Sequence, residues 1–370
     1  MLKTDIVDTI DEFRSLKKEW TELLTDSPSN VLFLSWEWMY TWWTYLAEDR
    51  RLYIVTIRSE GTLIGIAPLA LCSPNYRRLM PFAYLEFIAS GNVGSDFLGF
   101  IVRNGHQGPA EEAICEALLS QPHMVELVRV EKNSGSLTTI SKIARLGRGT
   151  TNIVDTNICP FIDIAGLQWD NYVSMLGKRH KKNLLRRLRK LENEFDLSFT
   201  STKAGEVSPI SIQEFIELHN THWEKIGEST AFNTNALFQF HVAFATICQD
   251  NDWLRLCRLQ LNGETAAAVY LFTYNDHYYF YQTALNDAYR KYSAGMVALA
   301  LSIKLAIDEG AKTFEMLHDN ETYKYLWTTT DKSLVRMEIY PSSFNGALSR
   351  RMAATKTVIR DISSKLRKRA

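Results

Sequence analysis

Tyr270-Leu-Phe-Thr-Tyr274 and Tyr278-Tyr-Phe-Tyr-Gln-Thr283, joined by Asn275-Asp-His277, are the stretch that decides the fold. Both runs are rich in β-formers and a short polar connector separates them, so an antiparallel hairpin is expected. Next comes Arg290-Lys-Tyr-Ser-Ala-Gly295, followed at once by the apolar run Met296-Val-Ala-Leu-Ala-Leu-Ser-Ile303. Apolar residues recur there at helical spacing and Gly310 is placed to stop the helix, which predicts a helix from Gly295 to Glu309. Lys312-Thr-Phe-Glu-Met-Leu317 reads as another strand. The order is strand, small-residue loop, helix, strand.

A helix start exposes unpaired backbone N–H groups and the positive end of the helix dipole, which together suit an anion such as a pyrophosphate. Ser293 and Gly295 keep side chains short where backbone must approach a ligand, and Arg290 can add a charged fork. The order Arg290-x-x-Ser293-x-Gly295 resembles the Arg/Gln-x-x-Gly-x-Gly/Ala signature of the GNAT acyltransferases, whose loop holds the pyrophosphate of coenzyme A. Ser293 stands where that signature has its first glycine. The resemblance implies that Arg290, Tyr292, Ser293, Ala294, Gly295 and Met296 bind acetyl-CoA or another acyl-CoA.

Downstream, Glu315-Met-Leu-His-Asp-Asn-Glu-Thr-Tyr-Lys-Tyr-Leu-Trp327 resembles the closing segment of the FemAB and CelD-like branch of that superfamily. In that branch an acidic strand residue precedes a Gly-acidic-x-x-Tyr-Lys-x-x-Trp pattern. Glu315, Tyr323, Lys324 and Trp327 match it, and Asp319 occupies the glycine position. What this implies is direct acyl transfer from a thioester, with an oxyanion donor on the strand Tyr278 to Thr283 and proton carriers nearby. Glu315 and His318 are the expected bases, Glu315 through burial and His318 through its neutral-pH titration. Tyr323 would protonate the thiolate or orient substrate, and Lys324 would bind phosphate or carboxylate. Asp319 is a further proton carrier or, with Trp223, an acceptor contact. Each residue also has a plain structural alternative, such as a Glu315–Lys324 pair or a core Tyr323.

The 370 residues, 46% hydrophobic and 12% aromatic, suffice for two domains with substantial cores. Cysteines at 72, 115, 159, 248 and 257 are odd in number and form no CxxC pair, which predicts a reduced, cytosolic compartment. The N-terminal stretch is acidic where an export signal would be basic, and no apolar run reaches the roughly 18 residues of a membrane span. Acids and bases balance at 42 each, yet eight Lys and Arg stand without an acid between Lys178 and Lys190, and eight more from Arg350 to Arg369 face only Asp361. Such local basic surfaces point to anionic partners. In the first run Leu184, Leu188 and Leu191 form one stripe of a predicted helix. Its cations are either a solvated face or contacts to phosphate-bearing ligands or anionic headgroups.

Residues 5–24 predict an extended start and an amphipathic helix carrying Phe13, Leu16, Trp20, Leu23 and Leu24. Phe33-Leu-Ser-Trp-Glu-Trp-Met-Tyr-Thr-Trp-Trp43 reads as a core helix capped by Ser35, in preference to a ligand-facing aromatic wall. A similar aromatic helix belongs to the CelD-like family. Leu52 to Ser59 and Leu63 to Cys72 form a hairpin; strands at Leu85 to Ile88 and Asp96 to Val102, a helix at 109–119 and a strand at Met124 to Val130 follow. The second half repeats this order without clear identity, so two diverged copies of one α/β unit are inferred. Arg103-Asn-Gly-His-Gln-Gly-Pro109 is only a degenerate equivalent of the small-residue loop, so coenzyme binding is assigned to the second copy. Breakers at Gly147 to Asn152 set the expected domains at 1–155 and 156–345, with a basic tail at 346–370 whose Val358, Ile362 and Leu366 suit a short surface helix. His219 and His222 lie three apart on a predicted helix without a third ligand, so no metal site is expected.

The expected fold is therefore α/β (α+β): two tandem GNAT-like domains, each a mixed, mostly antiparallel sheet flanked by helices. The resemblance implies an acyltransferase, acetyl-CoA-dependent in the first instance, acting on an amine or hydroxyl of a cell-envelope or exopolysaccharide precursor. The acceptor would be small or lipid-linked, and the protein cytoplasmic or peripheral at the inner membrane face. An aminoacyl-tRNA donor, a long-chain or lipid amine acceptor, a non-catalytic envelope-binding module and a homodimer stay open at this point.

Overall fold

In chain order the first half forms β1 (Leu2–Val7), α1 (Ile10–Ser15), α2 (Lys17–Thr25), α3 (Trp36–Leu46), β2 (Arg51–Ser59), β3 (Thr62–Cys72) and β4 (Tyr84–Phe87). It continues with β5 (Ile101–Val102), α4 (Gln107–Ser120), β6 (Met124–Glu131), α5 (Gly135–Ile143) and β7 (Gly149–Asp163). The second half forms α6 (Trp169–Met175), α7 (Lys178–Glu194), β8 (Leu197–Ser201), α8 (Pro209–Ile226), α9 (Asn235–Asn251), β9 (Leu254–Leu261) and β10 (Glu264–Tyr274). It ends with β11 (His277–Leu285), α10 (Ala294–Asp308), β12 (Thr313–Glu315) and β13 (Thr330–Pro341). This computed structural model describes the chain apart from residues 76–79, 81, 92, 144–148, 203–208, 227–231, 320, 344 and 353–370. The surface helix expected around Val358 to Leu366 lies outside the described residues.

Two units result, one from residues 1–91, 95–156 and 334 onward, the other from 93–94 and 157–333. The expected second domain, 156–345, thus ends earlier, at Ser333. The reason is β13, which pairs antiparallel with β6 from Leu334↔Glu131 to Ile339↔Val125 and completes the sheet of the first unit. Nor is the breaker-rich stretch before Asn152 a linker: from Gly149 it is strand β7, whose far end pairs with β12 at Asp163↔Thr313.

The first unit has strand order β1-β2-β3-β4-β6-β13, antiparallel except for β4 and β6. Read from its outer edge, the second has β8-β9-β10-β11-β12-β7, antiparallel except for β11 and β12. The two orders correspond strand for strand, as two copies of one unit should. In each, the parallel pair is bridged by a crossover helix, α4 or α10, because parallel neighbours cannot be joined by a tight turn.

Within the first unit the aromatic α3 is core. The Ser35 hydroxyl accepts from Trp38 N–H at the helix start, and the indole N–H groups of Trp20, Trp36 and Trp38 donate to Leu34 O, Phe13 O and Ser95 Oγ. Each buried ring therefore has its polar handle satisfied. Of the strand expected at Asp96 to Val102 only Ile101 and Val102 pair, since Phe97 at φ 57° breaks the extended chain.

In the second unit the turn between β10 and β11 places Asn275 and Asp276 at φ 50° and 63°, the left-handed pair a two-residue hairpin needs. The long α10 lays Val297, Ala298, Ile303 and Ala306 on Val269, Leu271, Tyr278 and Phe314. Burying each such aliphatic side chain contributes about 1.5–3 kcal/mol, which fixes the helix start, and the loop before it, against the end of β11. The opposite face of the sheet carries α8 and α9, with Phe215 edge-on to Tyr270 at 5.5 Å.

Candidate active site

All of the site described here lies in the second unit. After β11 the chain makes a 3-10 turn, Asp287–Tyr292, opened by the Asn286 side chain, which accepts from Ala288 N–H. Ser293 follows at φ 58° and ψ 43°, and α10 starts at Ala294. The N–H groups of Met296 and Val297 turn back to Ser293 O, whereas those of Ala294 and Gly295 are donated to nothing among the described residues. Two free amides at the positive end of a 15-residue helix have the donors and the dipole that suit an anion. A cavity of about 170 Å3 opens onto them, lined by His222, Leu285, Asp287, Arg290 and Ser293 through Met296. Arg290 is exposed and has no acid partner among the described residues. A Cβ on Gly295 would lie 2.6 Å from Leu285 Cδ2, so any larger residue there would have to push the Leu285 side chain aside. Tyr292 is not part of the lining: its ring stands edge-on to Phe195 at 4.9 Å, with the Lys190 and Lys291 ammonium groups over it.

Farther back, β11 and β12 share three rungs, His277↔Thr313, Tyr278↔Phe314 and Tyr279↔Glu315. There β12 ends, while β11 runs on to Leu285 paired only with β10. Between Phe280 and Leu285 the edge of β11 that faced β12 thus has no strand against it. At Tyr281 the ladder with β10 slips, since Tyr270 pairs with Gln282 and Leu271 with Phe280. A bulge beside an open edge re-aims backbone groups, as is common next to active sites.

Glu315 marks the last rung. It is 2% exposed, and its Oε1 accepts from Lys332 Nζ at 2.7 Å and from the Thr313 hydroxyl at 2.9 Å. Because the Thr313 hydroxyl donates to Glu315, it accepts from His277 Nδ1, 2.7 Å away, and so fixes that tautomer. Burial, more than any neighbouring charge, pushes the His277 imidazole below its ordinary range, so it stays neutral. The other oxygen, Glu315 Oε2, is buried with no hydrogen-bond partner. A buried carboxylate oxygen left unpaired costs free energy that a polar ligand would recover. The sequence alternative of a Glu315–Lys324 pair is not what forms; the partner is Lys332.

Lys324 is itself buried, its ammonium held by the carbonyls of His318 at 2.6 Å and Leu317 at 3.4 Å and by Glu321 at 3.2 Å. It clamps the loop after β12 and is already fully engaged there. In that loop Leu317 and Asp319 have φ 56° and 86°, so Asp319 adopts a left-handed backbone that favours glycine but that Asp tolerates better than most residues. His318 is partly exposed, its Nε2 3.8 Å from Asp319 Oδ2, and a Cβ on Gly94 would lie 3.6 Å from its ring and 3.7 Å from that of Tyr281. Tyr281 donates its hydroxyl to Val93 O at 2.6 Å. Tyr323 is more than a third exposed, and its phenol lies above the ordinary range through desolvation and the Glu321 and Asp319 carboxylates, so it carries its proton at neutral pH. The Trp223 side chain lies outside the described residues.

Sequence patterns thus brought together the donor-loop residues and, separately, the Glu315 strand and the His318–Lys324 loop. They missed Lys332, Tyr281 and His241, a wholly buried imidazole between the hydroxyls of Tyr270 and Tyr281 at 3.5 and 3.4 Å, pushed down to about 3 by burial. They also missed the pairing of His222 Nδ1 with Asp287 Oδ1 at 2.6 Å, although the helical spacing of His219 and His222 had singled those residues out.

Comparison with known proteins gives one family match, "Acetyltransferase (GNAT) domain", over residues 178–325. No curated protein sequence matches the chain. Among solved structures, FemX superposes with a TM-score of 0.64 at 11% identity, covering 94% of this chain and 99% of FemX. The C-terminal domain of a putative lysylphosphatidylglycerol synthetase from Agrobacterium fabrum gives 0.54 at 10% identity, over 92% of this chain and 96% of that one. A protein of unknown function from Bacteroides thetaiotaomicron VPI-5482 gives 0.55 at 12% identity, over 91% and 99%.

Proposed function

For this chain, which belongs to the GNAT superfamily of acyltransferases and has the fold of its FemX-like branch, we propose direct transfer of an acyl group, acetyl in the first instance, from coenzyme A to an amine. One observation supports this reading above the others. The free amides at Ala294 and Gly295 and the unpaired oxygen of Glu315 lie at two ends of one strand segment: Gly295 sits against Leu285, and Glu315 is opposite Tyr279. Tyr279 and Leu285 are six residue steps apart, about 20 Å at 3.3 Å per residue. A donor needs phosphates at one end, a reactive carbonyl at the other and an extended arm between, and a pantetheine thioester has that form. A compact donor such as an acyl phosphate could not reach both.

The bound thioester would supply an activated carbonyl and a thiolate leaving group. Arg290 and the α10 amides hold its phosphates. Backbone N–H groups on the open edge of β11 past Tyr279 stabilise the oxyanion that forms as the amine adds. Glu315 Oε2 accepts the proton the amine loses, while Lys332 and Thr313 hold the other oxygen and so aim the free one. Tyr323, protonated at neutral pH, is the candidate donor to the departing sulfur. His318 and Asp319, on the loop beyond Glu315, contribute to the acceptor side, and with Lys324 committed to that loop the acceptor contact falls to them. The acceptor class, an amine-bearing cell-envelope or exopolysaccharide precursor, rests on the resemblance of the Glu315 to Trp327 segment to the CelD-like branch. The test is thiol release from acetyl-CoA against a panel of amino sugars, peptidyl amines and aminolipids. No amine-stimulated release, with coenzyme A binding also absent by calorimetry, overturns the reading.

A further inference from the structure

Among the described residues of the second unit, the large hydrophobic side chains left exposed are Met175 at 71%, Leu326 at 47% and Tyr323 at 39%. They lie at one corner. The Tyr172 hydroxyl donates to Trp327 O at 3.0 Å and the His180 ring stands 4.5 Å from the Trp327 ring. These two contacts place the end of α6 and the start of α7 beside the 3-10 turn Lys324–Leu326. The same corner carries Lys178, Arg179, Lys181 and Lys182, none with an acid partner among the described residues. The first turn of α7 contains no acid and no side-chain cap, so these cations repel one another and the positive helix end without relief. Two exposed apolar side chains, Met175 and Leu326, beside unpaired cations are unfavourable in water, and both costs vanish at an interface that is apolar inside and anionic outside.

We infer that this corner docks on the surface of an anionic phospholipid bilayer, with Met175 and Leu326 at the level of the headgroup boundary and the α7 cations among the headgroups. A nucleic acid fits less well, because a phosphate backbone offers nothing to Met175 and Leu326. The inference does not depend on the donor or acceptor assigned above, since it is read out by binding alone.

The experiment is co-sedimentation of the full chain with phosphatidylcholine vesicles, with and without phosphatidylglycerol. Binding is expected only with phosphatidylglycerol. Lys178→Gln with Arg179→Gln should lower partitioning by about fivefold per charge, and Met175→Ser with Leu326→Ser by about tenfold per side chain, all with unchanged thermal unfolding. No binding to phosphatidylglycerol vesicles overturns the proposal. So does binding that neither double variant alters, which would move the contact to another surface such as the basic C-terminal stretch. RNA retention that the charge variant abolishes, without vesicle binding, would equally overturn it.

Discussion

Replacing Lys332 by methionine separates the two roles of the Glu315 carboxylate, which Lys332 contacts at 2.7 Å. The Glu315 side chain is 3% exposed and that of Lys332 29%. In K332M, Oε1 keeps only the Thr313 hydroxyl and Oε2 still has no partner. Stranding one charge of a fully buried pair costs 3–5 kcal/mol, and the partial exposure of the lysine reduces this to about 2 kcal/mol. In a chain of 370 residues that lowers the melting temperature by about 2–3 °C. Glu315→Gln is nearly isosteric and accepts the same Thr313 hydrogen bond, so it should cost only about 1 kcal/mol. It removes the proton acceptor, however, and turnover should fall by about 10²–10⁴ while coenzyme A affinity stays within about twofold. Combining the two should recover about 1–2 kcal/mol relative to the sum of the singles, because the methionine then strands no charge. The assays are thermal unfolding, calorimetric binding of coenzyme A and thiol release. A K332M protein that melts like the parent would mean the pair is not formed. Normal turnover in Glu315→Gln would remove Oε2 from the reaction.

Arg290→Glu puts a negative charge beside the two free α10 amides and should weaken coenzyme A binding by more than about a hundredfold by calorimetry, with unfolding unchanged because the parent arginine is exposed and unpaired. Ser293 pays the left-handed penalty of about 1–2 kcal/mol at φ 58°. Ser293→Gly should return that less the extra unfolded-state entropy of glycine, a net gain of about 0.5 kcal/mol, seen as a higher denaturant midpoint at constant slope. His241 binds its proton less readily folded than unfolded, so the unfolded chain holds more protons between about pH 3 and pH 6.5. Its stabilisation is complete above pH 6.5 and should be lost on acidification by about 1.4 kcal/mol per pH unit. His241→Gln should remove about 2 kcal/mol of the difference between chemical denaturation at pH 7 and pH 5.

Local signals carried much of the architecture. The hairpin at Tyr270 to Thr283, the Ser35 cap and the helix after Gly295 are each specified by residues within a few positions of one another, and each formed. What escaped was non-local. Strand β13 falls inside the expected second domain, and only its ladder with β6, some two hundred residues earlier, shows that Leu334 onward completes the first unit. Lys332 was invisible for the same reason: no spacing rule links it to Glu315 across the loop that separates them. Lys324 matched a pattern and was expected at the ligand, yet the carbonyls of Leu317 and His318 claim it. A pattern records that a lysine is needed without recording whether a ligand or the backbone needs it.

The two copies differ at the place where the proposed donor would bind. Their parallel pairs agree rung for rung, with Glu126 on the third residue of its strand as Glu315 is on its own, and both buried. A buried acid at that rung therefore does not distinguish them. The approach to the crossover helix does. In the first unit Arg103, the counterpart of Arg290 ahead of that helix, donates to Asp26 Oδ2 at 2.9 Å and to Leu63 O at 3.2 Å, and Asn104 binds the other Asp26 oxygen. An anion arriving there would meet the negative charge of Asp26, already paired with Arg103. In the second unit Asp287 also lines the cavity but is paired with His222 at 2.6 Å, Arg290 has no acid partner among the described residues, and the Ala294 and Gly295 amides stay undonated. The same strand programme thus yields one copy whose loop arginine is neutralised by Asp26 and one whose loop arginine has no acid partner among the described residues, and the proposed donor site rests on that difference more than on the fold.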